Sequence, residues 1–330
     1  MDRNIFIEKE FEQFCINYQK QPIIFGNNDI ETIRKNFEYN GDCDDLEYPC
    51  IEKKEIFKLC NDKYNLGSVE VIFFHPVEYD EGFDNKVFPI VYYLHGGGWC
   101  CGGNKKDYLL PRKICYFSKS IVAFPVYSLS PEAKFPIALE QCYEIFFLIV
   151  NRIEEFAKKL RFDSNSIVVG GDSSGGNMII SLLLLCNTRN KDPNIKKLFL
   201  INPPVDCNRE RESYAKYNGY FLSIDAVNWF LKQYIENDTL KSHHLVSPIN
   251  ATVEQLKDLP ESLLIFGELD ILKDEGLEFS EKLKKAGVKV TPIVFPGATH
   301  SFLTIRYFQN TNSSKQALKN IVDFILDKKK

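Results

Sequence analysis

Short runs of β-branched and aromatic residues recur along this chain, and most are followed by a stretch whose apolar residues fall at helical spacing. Val69–Phe74, Ile90–Leu94, Ser120–Phe124, Ile167–Val169, Lys197–Ile201, Leu263–Phe266 and Val288–Phe295 predict strands. The first of these ends at Pro76 and reads as an edge strand. Helices are predicted over Leu109–Ser118, Ala138–Leu160, the leucine-rich stretch after Gly176, Gly276–Ala286 and Ser314–Lys328. Strands alternating with helices imply an α/β fold, a mainly parallel sheet covered on both faces.

Two segments depart from the alternation. The chain up to about Asn40 reads as amphipathic helix, with Phe6, Phe11, Phe14 and Tyr18 at mixed helical spacings. Pro204–Asn250 is polar and aromatic (Tyr214, Tyr217, Tyr220, Trp229, Tyr234) and arrives where another strand is due. It predicts a helical insertion over the carboxyl ends of the strands, where ligands bind in such sheets. Residues of about 1–45 and 204–250 would together cap a single domain spanning 1–330.

Chemistry enters at the junctions. Ile167-Val168-Val169 runs into Gly171-Asp172-Ser173-Ser174-Gly175 and then into the leucine-rich helix, the strand–turn–helix context of a nucleophile elbow. Ser174 would need glycine two residues earlier and finds Asp172, so Ser173 is the nucleophile. Val91-Tyr92-Tyr93-Leu94 runs likewise into His95-Gly96-Gly97-Gly98-Trp99, a glycine loop able to turn backbone amides toward a developing oxyanion.

A serine hydroxyl needs a general base. Of five histidines, His300 lies directly after a strand, on the sheet edge expected to carry Ser173. His75, His95, His243 and His244 fall at a strand end, in the glycine loop and at the end of the insertion. The base needs a carboxylate to orient it. Asp270 follows the strand Leu263–Phe266 on the same edge, whereas Asp274 and Glu275 begin a helix and read as charges at its N-terminus.

Composition narrows the partners. The 330 residues are 44% hydrophobic with a net charge of −4, enough for a large core and no footprint for nucleic acid. The first residues lack an apolar signal core, and the longest apolar stretch, Met178–Cys186, is too short to span a bilayer. A cytoplasmic protein without integral membrane association is expected. The ten cysteines are scattered and include no Cys-x-x-Cys pair, so reduced thiols are expected rather than disulfides or a metal site. Cys100 and Cys101 follow the glycine loop and are candidates to line a pocket.

The chain resembles the hormone-sensitive-lipase-like esterases of the α/β-hydrolase fold, which include arylacetamide deacetylase-like enzymes. The motifs that carry the resemblance are His95-Gly96-Gly97-Gly98-Trp99, Tyr127-Ser128-Leu129-Ser130-Pro131-Glu132, Gly171–Gly176, Asp270–Glu275 and Gly297–Phe302. It spans about residues 70–325. It implies a triad of Ser173, Asp270 and His300, with an oxyanion hole from the backbone amides of Gly97, Gly98 and Ser174. It further implies a small, short-acyl ester as substrate and neither metal nor organic cofactor. Departures are Ser128 for the family's arginine, Ser174 for alanine, Ile271 for proline and Ser301 for glycine. None removes a catalytic group, and the consequence of Ser128 stays open. So do ester against amide preference, the acyl length, and the oligomeric state, with a homodimer among the options. A non-catalytic receptor on the same scaffold is the alternative from another class; receptors of that kind lack the histidine that His300 supplies.

Overall fold

A computed structural model of the chain describes residues 7–20, 23, 25, 29–37, 47–79, 87–151, 162–192, 194–208 and 211–328. Among these residues eight strands form one sheet: β1 (Cys50–Lys58), β2 (Ser68–Pro76), β3 (Phe88–Leu94), β4 (Ile121–Val126), β5 (Phe162–Asp172), β6 (Ile195–Ile201), β7 (Glu261–Gly267) and β8 (Val290–Phe295). Their order is β1-β2-β4-β3-β5-β6-β7-β8. β1 and β2 run antiparallel to their neighbours, and the strands from β4 to β8 are parallel.

The strands are buried from both sides, which is why they read as continuous apolar runs. Alternate residues feed different cores: Val71, Phe73, Ile90 and Tyr92 pack on one face, Ile72, Phe74, Val91 and Tyr93 on the other. The first face is covered by α4 (Ile137–Asn151) and α5 (Ser173–Thr188), the second by α3 (Leu109–Ser118) and α10 (Asn312–Ile325). α5 is apolar on nearly every side and buried from Ser174 to Cys186, as a central helix must be.

The seven expected strands are present, and three expectations need correction. β2 is not at the edge, because β1 pairs along its whole length and takes that place. The sequence of β1, CIEKKEIFK, carries no apolar strand signal because it is dominated by charges, and its Ile56 is 71% exposed. The N-terminal segment is two helices rather than one, α1 (Lys9–Lys20) and α2 (Ile30–Asn36). Asp29 caps α2 by accepting from the backbone N of Thr32 at 2.7 Å. Phe6 lies outside the described residues, as does the expected continuation of α4 through 152–160. The closing helix runs from Asn312 to Ile325, short of the expected Lys328. The segment after β6 holds α6 (Glu212–Tyr217) and α7 (Ile224–Tyr234), followed by single 3-10 turns and the short α8 (Val253–Leu256). Among the described residues no helix is long and apolar enough to cross a membrane.

Register sets the site. Leu94 pairs with Gly171, Asp172 with Ile201, and Gly267 with Phe295. The loops that follow β3, β5, β6, β7 and β8 therefore leave the sheet along one edge.

Candidate active site

The junction after β5 carries the elbow. Asp172 ends β5 in extended conformation, and Ser173 opens α5 at φ +48. A non-glycine residue held there costs on the order of 1–3 kcal/mol, and the surroundings must fix it. A Cβ on Gly175 would lie 2.1 Å from the backbone oxygen of Leu94, so only glycine lets β3 and the elbow come together.

Ser173 Oγ stands 3.0 Å from His300 Nε2, and His300 Nδ1 lies 2.7 Å from Asp270 Oδ2. His300 and Asp270 are buried. A carboxylate can only accept, so Nδ1 donates to Asp270, and in the neutral tautomer this leaves Nε2 to accept from the serine. Two further donors hold Asp270: the backbone N of Leu272 reaches Oδ1 at 3.0 Å, and Asn202 Nδ2 bonds Oδ2. Asn202 sits at φ +47 after β6, its own N–H donating to Ile265 O at 2.8 Å. The sequence marks Asn202 only as a strand end; an asparagine before Pro203-Pro204 is a left-handed turn former, the one signal it offers.

In the glycine loop, Gly97, Gly98 and Trp99 have φ of +109, +60 and +60. The amides of Cys100 and Cys101 both donate to Gly97 O, at 3.1 and 2.9 Å. Asp172, beside the nucleophile, anchors the loop by accepting from Gly96 N at 3.0 Å and Tyr93 Oη at 2.5 Å. Burial pushes its carboxyl up to about 6, against the Tyr93 hydrogen bond that lowers it. His95 stacks on Tyr127 with ring centroids 4.1 Å apart, and its Nδ1 lies 2.7 Å from Gly96 O. Burial lowers its pKa, which suits a neutral ring bracing the loop.

Ser173, His300, Gly97, Gly98 and Ser174 all border one cleft of about 760 Å³, counted to its open mouth. Its walls are largely apolar, with Phe25 and Phe37 from the N-terminal segment and Phe221 and Phe230 from the segment after β6. Phe230 lies so close over the loop that a Cβ on Gly98 would meet its ring at 2.4 Å. Trp99 borders the cleft with its ring stacked on Tyr234 at 4.3 Å. Cys207 is also in the lining, while Cys100 and Cys101 are buried and outside it. Among the described residues the cysteines are free thiols, and no group of three His, Cys, Asp or Glu side chains is arranged to hold a metal ion.

Glu275 requires a correction. It does open α9 (Lys273–Lys285), but as a fully buried carboxyl rather than a charge at the helix N-terminus. Its oxygens accept from Val205 N at 2.7 Å, Asp206 N at 3.2 Å and Tyr214 Oη at 2.8 Å. Burial pushes it up to about 8 against these donors. Asp274 beside it accepts from Ser213 N at 2.9 Å, so both residues tie the segment after β6 to the Asp270 loop. Ser128 is bound to α4, its N–H donating to Gln141 Oε1 at 2.8 Å and its Oγ accepting from Gln141 Nε2 at 2.9 Å. Ser301 follows His300 at φ +59, a conformation that explains glycine there in the resembled family.

A sheet of this order, with a serine on the elbow after β5 and a histidine after β8, defines an α/β-hydrolase fold. Residues 91–304 match the family described by the alpha/beta hydrolase fold, and this chain belongs to that family. It is 34% identical over 320 residues to the vegetative-specific protein H5 of Dictyostelium discoideum, covering 95% of this chain and 90% of the relative. An esterase of Fusarium pseudograminearum is 27% identical over 236 residues, 71% of this chain and 72% of that one. A structure from a study of two fungal esterases of Rhizomucor miehei superposes with a TM-score of 0.85 at 27% identity, covering 98% and 97% of the two chains.

Proposed function

We propose that this protein is a serine carboxylesterase that cleaves small, short-acyl esters through an acyl-enzyme on Ser173. The chain is a carboxylic ester hydrolase of the α/β-hydrolase fold. The observation that carries the serine mechanism is the line Ser173 Oγ, His300 Nε2, His300 Nδ1, Asp270 Oδ2, with spacings of 3.0 and 2.7 Å at its two hydrogen bonds. In the proposed reaction His300 takes the Ser173 proton as Oγ attacks the ester carbonyl, and Asp270 stabilises the imidazolium. The amides of Gly97, Gly98 and Ser174 receive the tetrahedral oxyanion, each such donor being worth about 3–4 kcal/mol. His300 then protonates the departing alcohol, activates a water and returns the proton to Ser173.

Residues of about 1–45 and 204–250 act as the cap of a single domain. The reading is supported by the aromatic side chains that both segments contribute to the cleft. Phe230 over Gly98 leaves little depth beside the oxyanion loop, which favours short acyl chains.

Hydrolysis of p-nitrophenyl esters across acyl lengths, by wild type and Ser173→Ala, tests the proposal. Turnover peaking at short chains and reduced to background in the variant is expected. Full turnover by Ser173→Ala, or none by folded wild type, would overturn it.

A further inference from the structure

The glycine loop is held from outside the sheet by one side chain of the N-terminal segment. Arg34 Nε donates to Cys100 O at 2.8 Å, and its Nη2 donates to Ser130 O at 3.1 Å. The guanidinium also closes a bidentate pair on Glu132, 2.8 Å to each carboxylate oxygen. That pairing lowers the Glu132 pKa. Arg34 thereby ties the glycine loop after β3 to the loop after β4. Ser130 N in turn donates to Trp99 O at 2.8 Å, so Trp99 O and Cys100 O are both engaged by this arrangement.

The turn needs such support. Three successive residues, Gly97, Gly98 and Trp99, have positive φ, and Gly97 O already takes the amides of Cys100 and Cys101. Position 128, where the resembled family carries an arginine, is a serine engaged with Gln141. The guanidinium bound to the Ser130–Glu132 stretch comes instead from α2. Phe37, three residues after Arg34 and so on the same side of the helix, borders the cleft and packs on Phe230 with centroids 5.4 Å apart.

We propose that Arg34 is a positioning residue, a latch through which α2 holds the Gly97–Cys101 turn in register and seats the Phe37 wall of the cleft. The inference rests on the esterase reading only for its kinetic consequence. Arg34 is part exposed, its side chain 29% accessible and that of Glu132 59%, so the pair contributes little to global stability. Its effect falls on the geometry of the oxyanion amides. A displacement of about 1 Å at a catalytic donor costs on the order of 10²-fold, so loosening the turn is expected to lower kcat by roughly 10- to 100-fold.

The test compares wild type, Arg34→Ala, Arg34→Lys and Glu132→Gln by ester kinetics, by thermal melting and by backbone hydrogen exchange of peptides covering residues 95–103. The latch predicts that Arg34→Ala lowers kcat 10- to 100-fold with a small change in KM and in melting temperature. It also predicts faster exchange in that segment and weaker discrimination between acetyl and octanoyl esters. Arg34→Lys, which offers one cationic head and no planar fork, recovers part of the loss, and Glu132→Gln shows a milder form of it. Unchanged exchange over residues 95–103 overturns the latch, as does a kcat loss matched by general destabilisation. If folded wild type shows no turnover, the esterase reading fails, and exchange alone decides the latch.

Discussion

The Asp270→Asn substitution keeps the shape of the side chain and removes its charge, and the donors around Asp270 dictate how the new amide must sit. Oδ2 accepts from His300 Nδ1 and Asn202 Nδ2, whereas Oδ1 accepts from Leu272 N alone. An amide nitrogen in the Oδ2 position would face two donors, and in the Oδ1 position one. Each buried donor left without an acceptor costs about 1–3 kcal/mol, so the nitrogen turns toward Leu272. His300 then keeps its proton on Nδ1 and its bare Nε2 toward Ser173. What is lost is the negative charge beside the imidazolium formed in the transition state, and breaking a buried pair costs about 3–5 kcal/mol. At about 1.4 kcal/mol per decade this lowers kcat by roughly 10²- to 10⁴-fold, with KM little changed. The assay is steady-state hydrolysis of a p-nitrophenyl acetate-class substrate, with circular dichroism to establish folding. The low-field proton of His300 Nδ1 is followed by NMR. A kcat within tenfold of wild type would refute the charge argument, and disappearance of the Nδ1 proton in the folded variant would refute the orientation argument.

Three further outcomes are expected. Gly97→Ala puts a Cβ 2.2 Å from the backbone oxygen of Cys101 at a φ of +109, so activity should fall by at least about 10²-fold and the melting temperature should drop; an active, equally stable variant would contradict the loop geometry. Ser173→Gly and Ser173→Ala should both be inactive, with the glycine variant the more stable by about 1 kcal/mol because alanine, unlike glycine, is strained at φ +48; equal melting temperatures would count against elbow strain. The Glu275 carboxyl is raised from its ordinary 4.5 to about 8, so between these values the unfolded chain has released a proton that the folded chain retains. Its contribution to stability is therefore full below pH 4.5 and is lost as pH rises through about 8. Melting curves of wild type and Glu275→Gln from pH 5 to 9 check this. Wild type should lose ground to the variant as pH increases, and parallel curves would exclude the burial effect.

The placement of Ser173, Asp270 and His300 at strand ends was legible because each stands in a local pattern, an apolar run broken by turn-forming residues. The glycine loop was legible for the same reason. Asn202, which bonds Asp270 across 68 positions of sequence, and Glu275, which reaches Val205 across 70, carry no such pattern. Asp274 and Glu275 look alike in the sequence as two acidic residues in a first helical turn, and only packing separates the half-exposed one from the buried one. β1 was unreadable because a charge-rich edge strand has no apolar alternation of its own and exists through its pairing with β2.

Local sequence carries seven of the eight described strands, the helices between them, the strand-to-turn junctions and the chemical types placed there, since periodicity, turn preference and glycine requirements act over a few residues. Only the folded arrangement shows that Asp270 is held by Asn202 and Leu272, that Glu275 is a buried tie to the segment after β6, and that the guanidinium on the glycine loop comes from Arg34. These contacts join parts of the chain that become neighbours only once the order of the parallel strands and the path of the covering helices are set. That order follows from long-range burial, which no local window of sequence records.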